Sequence, residues 1–285
     1  MFKEYIILTK PYIVVLLLLT ALSGIFVSVD YFPSVEIVGI VLIGGALTAS
    51  GANAINHYMD RDIDSMMSRT TLRPVPRGAI SPTRALIVGV LLNILGFAVL
   101  SIGANIQSAV LAAIASLFYI LVYTAWLKRT TSQNIVIGGA AGAMPPLVAA
   151  AAVTGGVPMA AVYLFLIIFL WTPPHFWALA LLIKDDYARA KVPMLPVVKG
   201  ERTTYWNIFI YTIVLAVVNA LFVMTSDIGL IYLIVGICLS AMFIYLAVRL
   251  LREASQHAAL VLYKYSLLYL SGLCLAVIVD RVVTF

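Results

Sequence analysis

The chain has 285 residues, 63% of them hydrophobic and only 11% charged, with a mean hydropathy of +1.08. That is too little polar surface to cover a soluble globule of this size, so soluble classes are excluded and an integral membrane protein is expected. The formal charge of +6 would suggest nucleic acid in a soluble domain. Here the expected partner is the lipid bilayer, with no nucleic acid, and the placement of the charge matters more than its sum.

A spanning helix needs about 20 apolar residues. Nine segments qualify, at roughly 12–29, 37–57, 83–102, 107–127, 133–153, 159–183, 204–224, 228–249 and 263–283, which predicts an all-α fold of nine transmembrane helices. No cleavable signal is expected, because Lys3, Glu4 and Lys10 precede an apolar stretch long enough to span. With the N-terminus as one side, the loops of that side hold all of the 18 basic residues except Arg281. The positive-inside rule then puts the N-terminus in the cytoplasm and the C-terminus on the opposite side. The opposite connections, around Asp30, Gly103, Gly155 and Asp227, lack Lys and Arg. Cys238 and Cys274 lie in apolar runs and read as small core residues.

The second segment runs into NAINHYMDRDIDSMMSRTTLRPVPRGAISPTR, Asn53 to Arg84. If its helix continues to Asp64, then Asn56, Asp60 and Asp64 recur every fourth residue, drift about 40° per step and share one face, while Asp62 points away. Carboxylates at a helix C-terminus meet the negative end of the macrodipole, so a cation is expected beside them. Mg²⁺ fits, since it takes oxygen ligands and joins one or two carboxylates to substrate phosphates. Arg69, Arg73 and Arg77 follow at four-residue spacing and could hold phosphate oxygens bidentately. A solvated loop whose arginines only fix topology is the plainer alternative.

Between the fourth and fifth segments, Tyr119, Tyr123, Lys128, Arg129 and Asn134 add aromatics and cations on the same side; the tyrosines read as an interfacial belt or as part of a site. The fifth carries GGAAGAMPP, with Gly138, Gly139, Gly142 and Pro145-Pro146 at mid-membrane depth, either for close packing or to open a cavity. In the sixth, Pro173-Pro174 should kink the helix just before His175. His175, Leu182 and Asp186 would share a face, because eleven residues turn a helix by about 1100°. A histidine inside the membrane is a functional candidate, or a neutral imidazole bonded to a carbonyl that the prolines free. His57 faces a neighbouring helix or the interface, and His257 reads as a solvated loop residue. The second long loop, 184–203, brings Lys184, Asp185 and Asp186 to the same side as the first. The two loops lie four spans apart, a weak hint of duplication.

The N-x-x-x-D-x-x-x-D run of Asn56, Asp60 and Asp64 resembles the first motif of the UbiA superfamily of intramembrane prenyltransferases. Within it, LTKPYIVVLLLLTALSG (Leu8–Gly24), NHYMDRDID and SRTTLRPVPRG (Asn56–Gly78), YTAWLKRTTSQNIVIGGAAGAMPP (Tyr123–Pro146) and HFWALALLIKDDYARAKVPMLPVVKG (His175–Gly200) resemble the protohaem IX farnesyltransferase branch. The last 80 or so residues resemble nothing specific. The usual second motif, roughly Y-D-x-x-Y-A-x-x-D-x-x-x-D, keeps only Asp186, with His175 and Leu182 at the other acidic positions. The resemblance implies one domain over 1–285 that transfers farnesyl from farnesyl diphosphate to a vinyl group of haem B, with water, giving haem O. It implies Asp60, Asp64, His175 and Asp186 as catalytic and Asn56, Asp60, Asp64 and Asp186 as ligands of Mg²⁺. Arg69, Arg73, Arg77, Lys128, Arg129 and Lys184 would bind diphosphate, and His175 and His57 would face haem. It also implies the plasma membrane, cytoplasmic active-site loops and a downstream haem-modifying membrane enzyme as partner. Another acceptor, such as a quinone precursor or lipid alcohol, is the alternative enzyme; a porphyrin or lipid transporter is the alternative outside enzymes.

Overall fold

The computed structural model describes residues 2–225 and 228–284. The predicted connection around Asp227 therefore lies outside the described residues. Among them every regular element is helical. Two short helices open the chain, α1 (Phe2–Thr9) and α2 (Pro11–Val27), followed by α3 (Val35–Met59), α4 (Arg61–Met66), α5 (Pro82–Gly103) and α6 (Ile106–Leu117). A π-helical segment, Phe118–Leu127, and α7 (Lys128–Thr130) extend α6. Then come α8 (Asn134–Ala143), α9 (Pro145–Thr154), α10 (Met159–Leu182), α11 (Lys184–Arg189), α12 (Leu195–Val198), α13 (Glu201–Phe222), α14 (Leu230–Glu253) and α15 (Gln256–Thr284).

Among the described residues eight helices are long and apolar enough to cross a membrane, and α1 and α2, bent by 48° at their junction, make a ninth if counted as one span. Each predicted segment falls on one of these crossings. The last begins at Gln256 rather than at 263, so His257 belongs to the first turn of α15 instead of a loop, although its side chain is exposed. The fifth crossing divides at Met144 into α8 and α9, with Pro145 at the first position of the new helix, where its missing N–H costs nothing. The sixth behaves differently: α10 runs as one helix through Pro173 and Pro174.

Close packing places the site. α3 lies along α5, and a Cβ on Gly89 would stand 2.9 Å from the carbonyl oxygen of Gly51, while one on Gly96 would stand 2.9 Å from that of Gly44. These backbones touch, which only glycine permits. α2 approaches α9 as closely, a Cβ on Gly24 falling 2.5 Å from Pro146 Cα. At one end Arg281 donates to Val29 O (2.7 Å) and Asp30 (2.6 Å), so the last helix clasps the first hairpin. Asp280 beside it accepts from the backbone N–H groups of Gly229, Ile231 and Tyr232 at 2.5, 3.0 and 3.2 Å, capping α14. The loops 61–81 and 184–200 meet at the other end.

Candidate active site

α3 ends at Met59, but the i−4 ladder continues: Asp60 N donates to Asn56 O and Asp64 N to Asp60 O, both at 2.8 Å. The helical register therefore holds across the junction with α4. Asn56, Asp60 and Asp64 are all buried, whereas Asp62 on the opposite side is about half exposed, at 55%. Asp62 pairs with Arg129 through both oxygens, at 2.7 and 2.8 Å, and that guanidinium holds its carboxyl down at about 2.

Three cations converge on the buried row. Lys128 Nζ lies 2.5 Å from Asp60 Oδ2, Arg73 donates to both oxygens of Asp64 at 2.8 Å, and Lys10 Nζ donates to Asn56 Oδ1 at 2.7 Å. Asn56 turns its amide to Asp60 Oδ2 (2.8 Å) and to the Thr124 hydroxyl (3.0 Å). Asp60 Oδ1 has no hydrogen-bond partner although its residue is fully buried. An acceptor left open on a buried carboxylate fits a bound cation. Among the described residues no group of three or more His, Cys, Asp or Glu side chains gathers tightly enough to enclose a metal. Two carboxylates and an amide would leave room for water and substrate phosphates, the habit of Mg²⁺.

Lys10 and Thr124 were missed as site residues. Lys10 sits at the α1–α2 bend with φ 53°, and this left-handed step ahead of Pro11 sends its side chain across to α3. Its lysine-proline pair was visible, but a left-handed lysine has no sequence signature. Thr124 is brought inward by the π-helical turn, a feature that recurs at functional sites. The same turn stacks Tyr119 on Tyr123, with ring centroids 5.6 Å apart. Tyr123 packs with Ile63, Met67, Ile135 and Tyr187, under the loops rather than in an outer belt.

The other expected residues are more dispersed. Arg77 pairs with Glu4, and Lys184 with Glu201 at 3.0 Å. Arg129 serves Asp62 and reaches Asp60 only at 3.8 Å. The Arg69 side chain is exposed, while its backbone N–H donates to Asp186 at 3.4 Å. Asp186 accepts from Ser68 Oγ at 2.9 and 2.7 Å and pairs with Arg189, so it ties the second loop to the first. The Ser68 hydroxyl holds its carboxyl below the usual range. Of the expected common face, His175 and Leu182 stay together on α10, seven residues apart, while Asp186 falls in the separate α11. α10 stops at Leu182 because Ile183 leaves helical geometry (φ −123°, ψ 34°) and the helix restarts at Lys184.

His175 instead turns toward α15, its Nδ1 2.7 Å from Ser266 Oγ, rather than to a carbonyl freed by the prolines. A Cβ on Gly139 of α8 would stand 2.9 Å from Thr172 Cγ2, so α8 presses the turn of α10 just before His175. His57 is buried, with neither ring nitrogen hydrogen-bonded, and lies within electrostatic reach of Lys10, Arg73 and Lys128.

A buried Asn–Asp–Asp row ringed by cations at the mouth of an apolar bundle is the arrangement expected of allylic diphosphate chemistry. The model of the UbiA prenyltransferase family matches residues 17–271. The chain belongs to the UbiA prenyltransferase family. Within it, a protoheme IX farnesyltransferase of Symbiobacterium thermophilum is 49% identical over 98% of this chain and 94% of its own length. Another, from Roseiflexus castenholzii, is 47% identical over 99% of the chain. The chain spans about half (52%) of that longer relative, and a similar share of several other curated relatives. Solved UbiA-type structures share the fold. A digeranylgeranylglyceryl phosphate synthase superposes with a TM-score of 0.81 at 22% identity, covering 99% of this chain and 98% of that one. An Archaeoglobus fulgidus UbiA homologue bound to GPP and Mg²⁺ does so with 0.73 at 16%, covering 97% and 99%.

Proposed function

We propose that this chain is a single prenyltransferase domain that moves the farnesyl group of farnesyl diphosphate onto a vinyl group of haem B, with addition of water, to give haem O and diphosphate. The observation that carries the reading is the Asp60 carboxylate, fully buried among cations with one oxygen that accepts no hydrogen bond. A soluble-face ion pair needs no such burial, and a topology signal needs no such row. The choice of farnesyl and haem B rests on the names of the most similar relatives and on the His-Phe-Trp run beginning at His175.

Asn56, Asp60 and Asp64 are the residues that would hold Mg²⁺, and Asp186 is the acidic group that the second loop brings to the same end. When bound, the ion neutralises charge that builds on the departing diphosphate. Lys10, Arg73 and Lys128 bind the diphosphate oxygens, with Arg69 at the rim; Arg77, Arg129 and Lys184 hold the surrounding loops through their carboxylate pairs. These charges are preorganised around a buried carboxylate row, so they stabilise the leaving group without reorganising. The tyrosine pair and the apolar bundle below keep water from the allylic cation before the vinyl group attacks it. His175 lies on the acceptor side, whereas His57 sits among the diphosphate cations.

The chain resides in the plasma membrane with its N-terminus and both long loops in the cytoplasm, where diphosphate is available, and hands haem O to a haem-modifying membrane enzyme. Purified chain in lipid, given farnesyl diphosphate, Mg²⁺ and haem B, should release diphosphate only when haem B is present. Release that needs a quinone precursor or lipid alcohol instead, with haem B inert, would remove the acceptor assignment.

A further inference from the structure

His175 is held on three sides. Its ring stacks on Trp171, one turn earlier in α10, at 4.4 Å and 16°, and on Tyr263 of α15 at 4.9 Å and 24°. Phe176 stands edge-on at 5.3 Å. Both faces of the imidazole are thus covered, and only a nitrogen-bearing edge remains. Nδ1 lies 2.7 Å from Ser266 Oγ. A serine hydroxyl has one proton, and that of Ser266 goes to the Tyr263 carbonyl at 2.6 Å. With its proton on that carbonyl, Ser266 accepts from the imidazole, the arrangement that satisfies both contacts and puts the proton on Nδ1 and the lone pair on Nε2. Trp171 Nε1 donates to the Ser266 carbonyl at 2.7 Å, so the register of α10 on α15 is pinned at this residue. Nε2 is not sealed: both nitrogens of His57 are buried without partners, but neither nitrogen of His175 is.

We infer that Ser266 is a positioning residue that presents the Nε2 lone pair of His175 to a water, and that this water supplies the hydroxyl of the product. With both faces of the ring covered and Nδ1 engaged by Ser266, the imidazole offers a single acceptor lone pair, which suits a water donating one hydrogen bond. The inference rests on the farnesyl transfer proposed above. In that reaction the vinyl electron pair forms a C–C bond to farnesyl C1 as the C1–O bond breaks and diphosphate leaves with its pair. The water oxygen then bonds to the resulting cation while one of its protons passes to Nε2, giving a neutral alcohol and an imidazolium. The imidazolium returns the proton to water before the next turnover.

The experiment uses the full chain in lipid with farnesyl diphosphate and haem B, following diphosphate release and the mass of the haem products. Ser266→Ala should keep farnesyl diphosphate binding but lower the hydroxylated product per diphosphate released by about tenfold or more, with a prenylated haem lighter by one water in its place. Ser266→Thr, which keeps the hydroxyl, should restore most of the hydroxylated product. An unchanged product ratio in Ser266→Ala, or loss of diphosphate binding along with turnover, would overturn the inference. A second measurement needs no altered serine: ring nitrogen NMR of the wild-type chain, assigned with His175→Gln, should find the proton on Nδ1, and a proton on Nε2 would overturn it. Absence of any prenylated haem from the wild type would overturn the reaction and the water's role with it, while the NMR result tests Ser266 separately.

Discussion

Asp60 and Asp64 differ from Asp62 only by position on the helix, yet the first two are buried among cations and the third is open to solvent. Asp60→Asn and Asp64→Asn should each lower turnover by about a hundredfold or more while the protein still inserts. Asp62→Asn loses a surface pair and should cost no more than about 1 kcal/mol of stability with turnover kept; equal losses at all three positions would show that the row has no special role. Lys10→Ala should raise the KM for farnesyl diphosphate about tenfold, read from steady-state rates, because its ammonium already points at Asn56. At Asp186 the folded-state pKa is depressed by Ser68, so its contribution to loop contact is present above the unfolded value of about 4 and is lost as pH falls through the lower folded value. Ser68→Ala should move that loss to higher pH, seen as hydrogen exchange in residues 61–81. The row of acids was legible because helical spacing and burial follow from periodicity. Lys10 was not read as a site residue, since its reach depends on a left-handed backbone step, and the break at Ile183 that separates Asp186 from α10 has no signature in the spacing.

At the scale of elements, small residues decide how closely the helices that carry the site approach. Gly24→Ala would drive its Cβ into the backbone of Pro146, which cannot swing aside as a side chain can. A loss of about 1–3 kcal/mol is expected, measured as thermal unfolding in detergent. Gly142→Ala meets nothing within 4 Å and should be neutral or stabilising by up to about 1 kcal/mol, although both glycines look alike in the sequence. The division of the fifth crossing was readable from Pro145, which cannot continue an existing ladder but starts a new one. The paired prolines of α10 lie inside the helix without ending it. The π-helical run Phe118–Leu127 left no trace in composition, because its widened turn is set by what packs around Tyr123 and Thr124.

At the scale of the whole molecule, the crossings were legible from hydropathy, and the charge asymmetry has a structural counterpart. The Lys10, Arg73 and Lys128 contacts gather at one end, and Arg281 is clasped by Asp30 at the other. In a Cys238→Ser background, Leu72→Cys and Ala188→Cys should react with an impermeant thiol reagent from the cytoplasmic face only, and Tyr31→Cys from the opposite face only. Labelling of the first two from different faces would break the shared mouth. What no spacing reveals is the acceptor, because the side proposed for it around His175 depends on how α8, α10 and α15 pack together. The most direct measurement is therefore extraction of pigments from cells expressing the wild-type chain or Asp60→Asn at matched membrane levels. Haem O should accumulate with the wild type and be absent with Asp60→Asn; haem B alone in both, with the wild type fully inserted, would contradict the proposed activity.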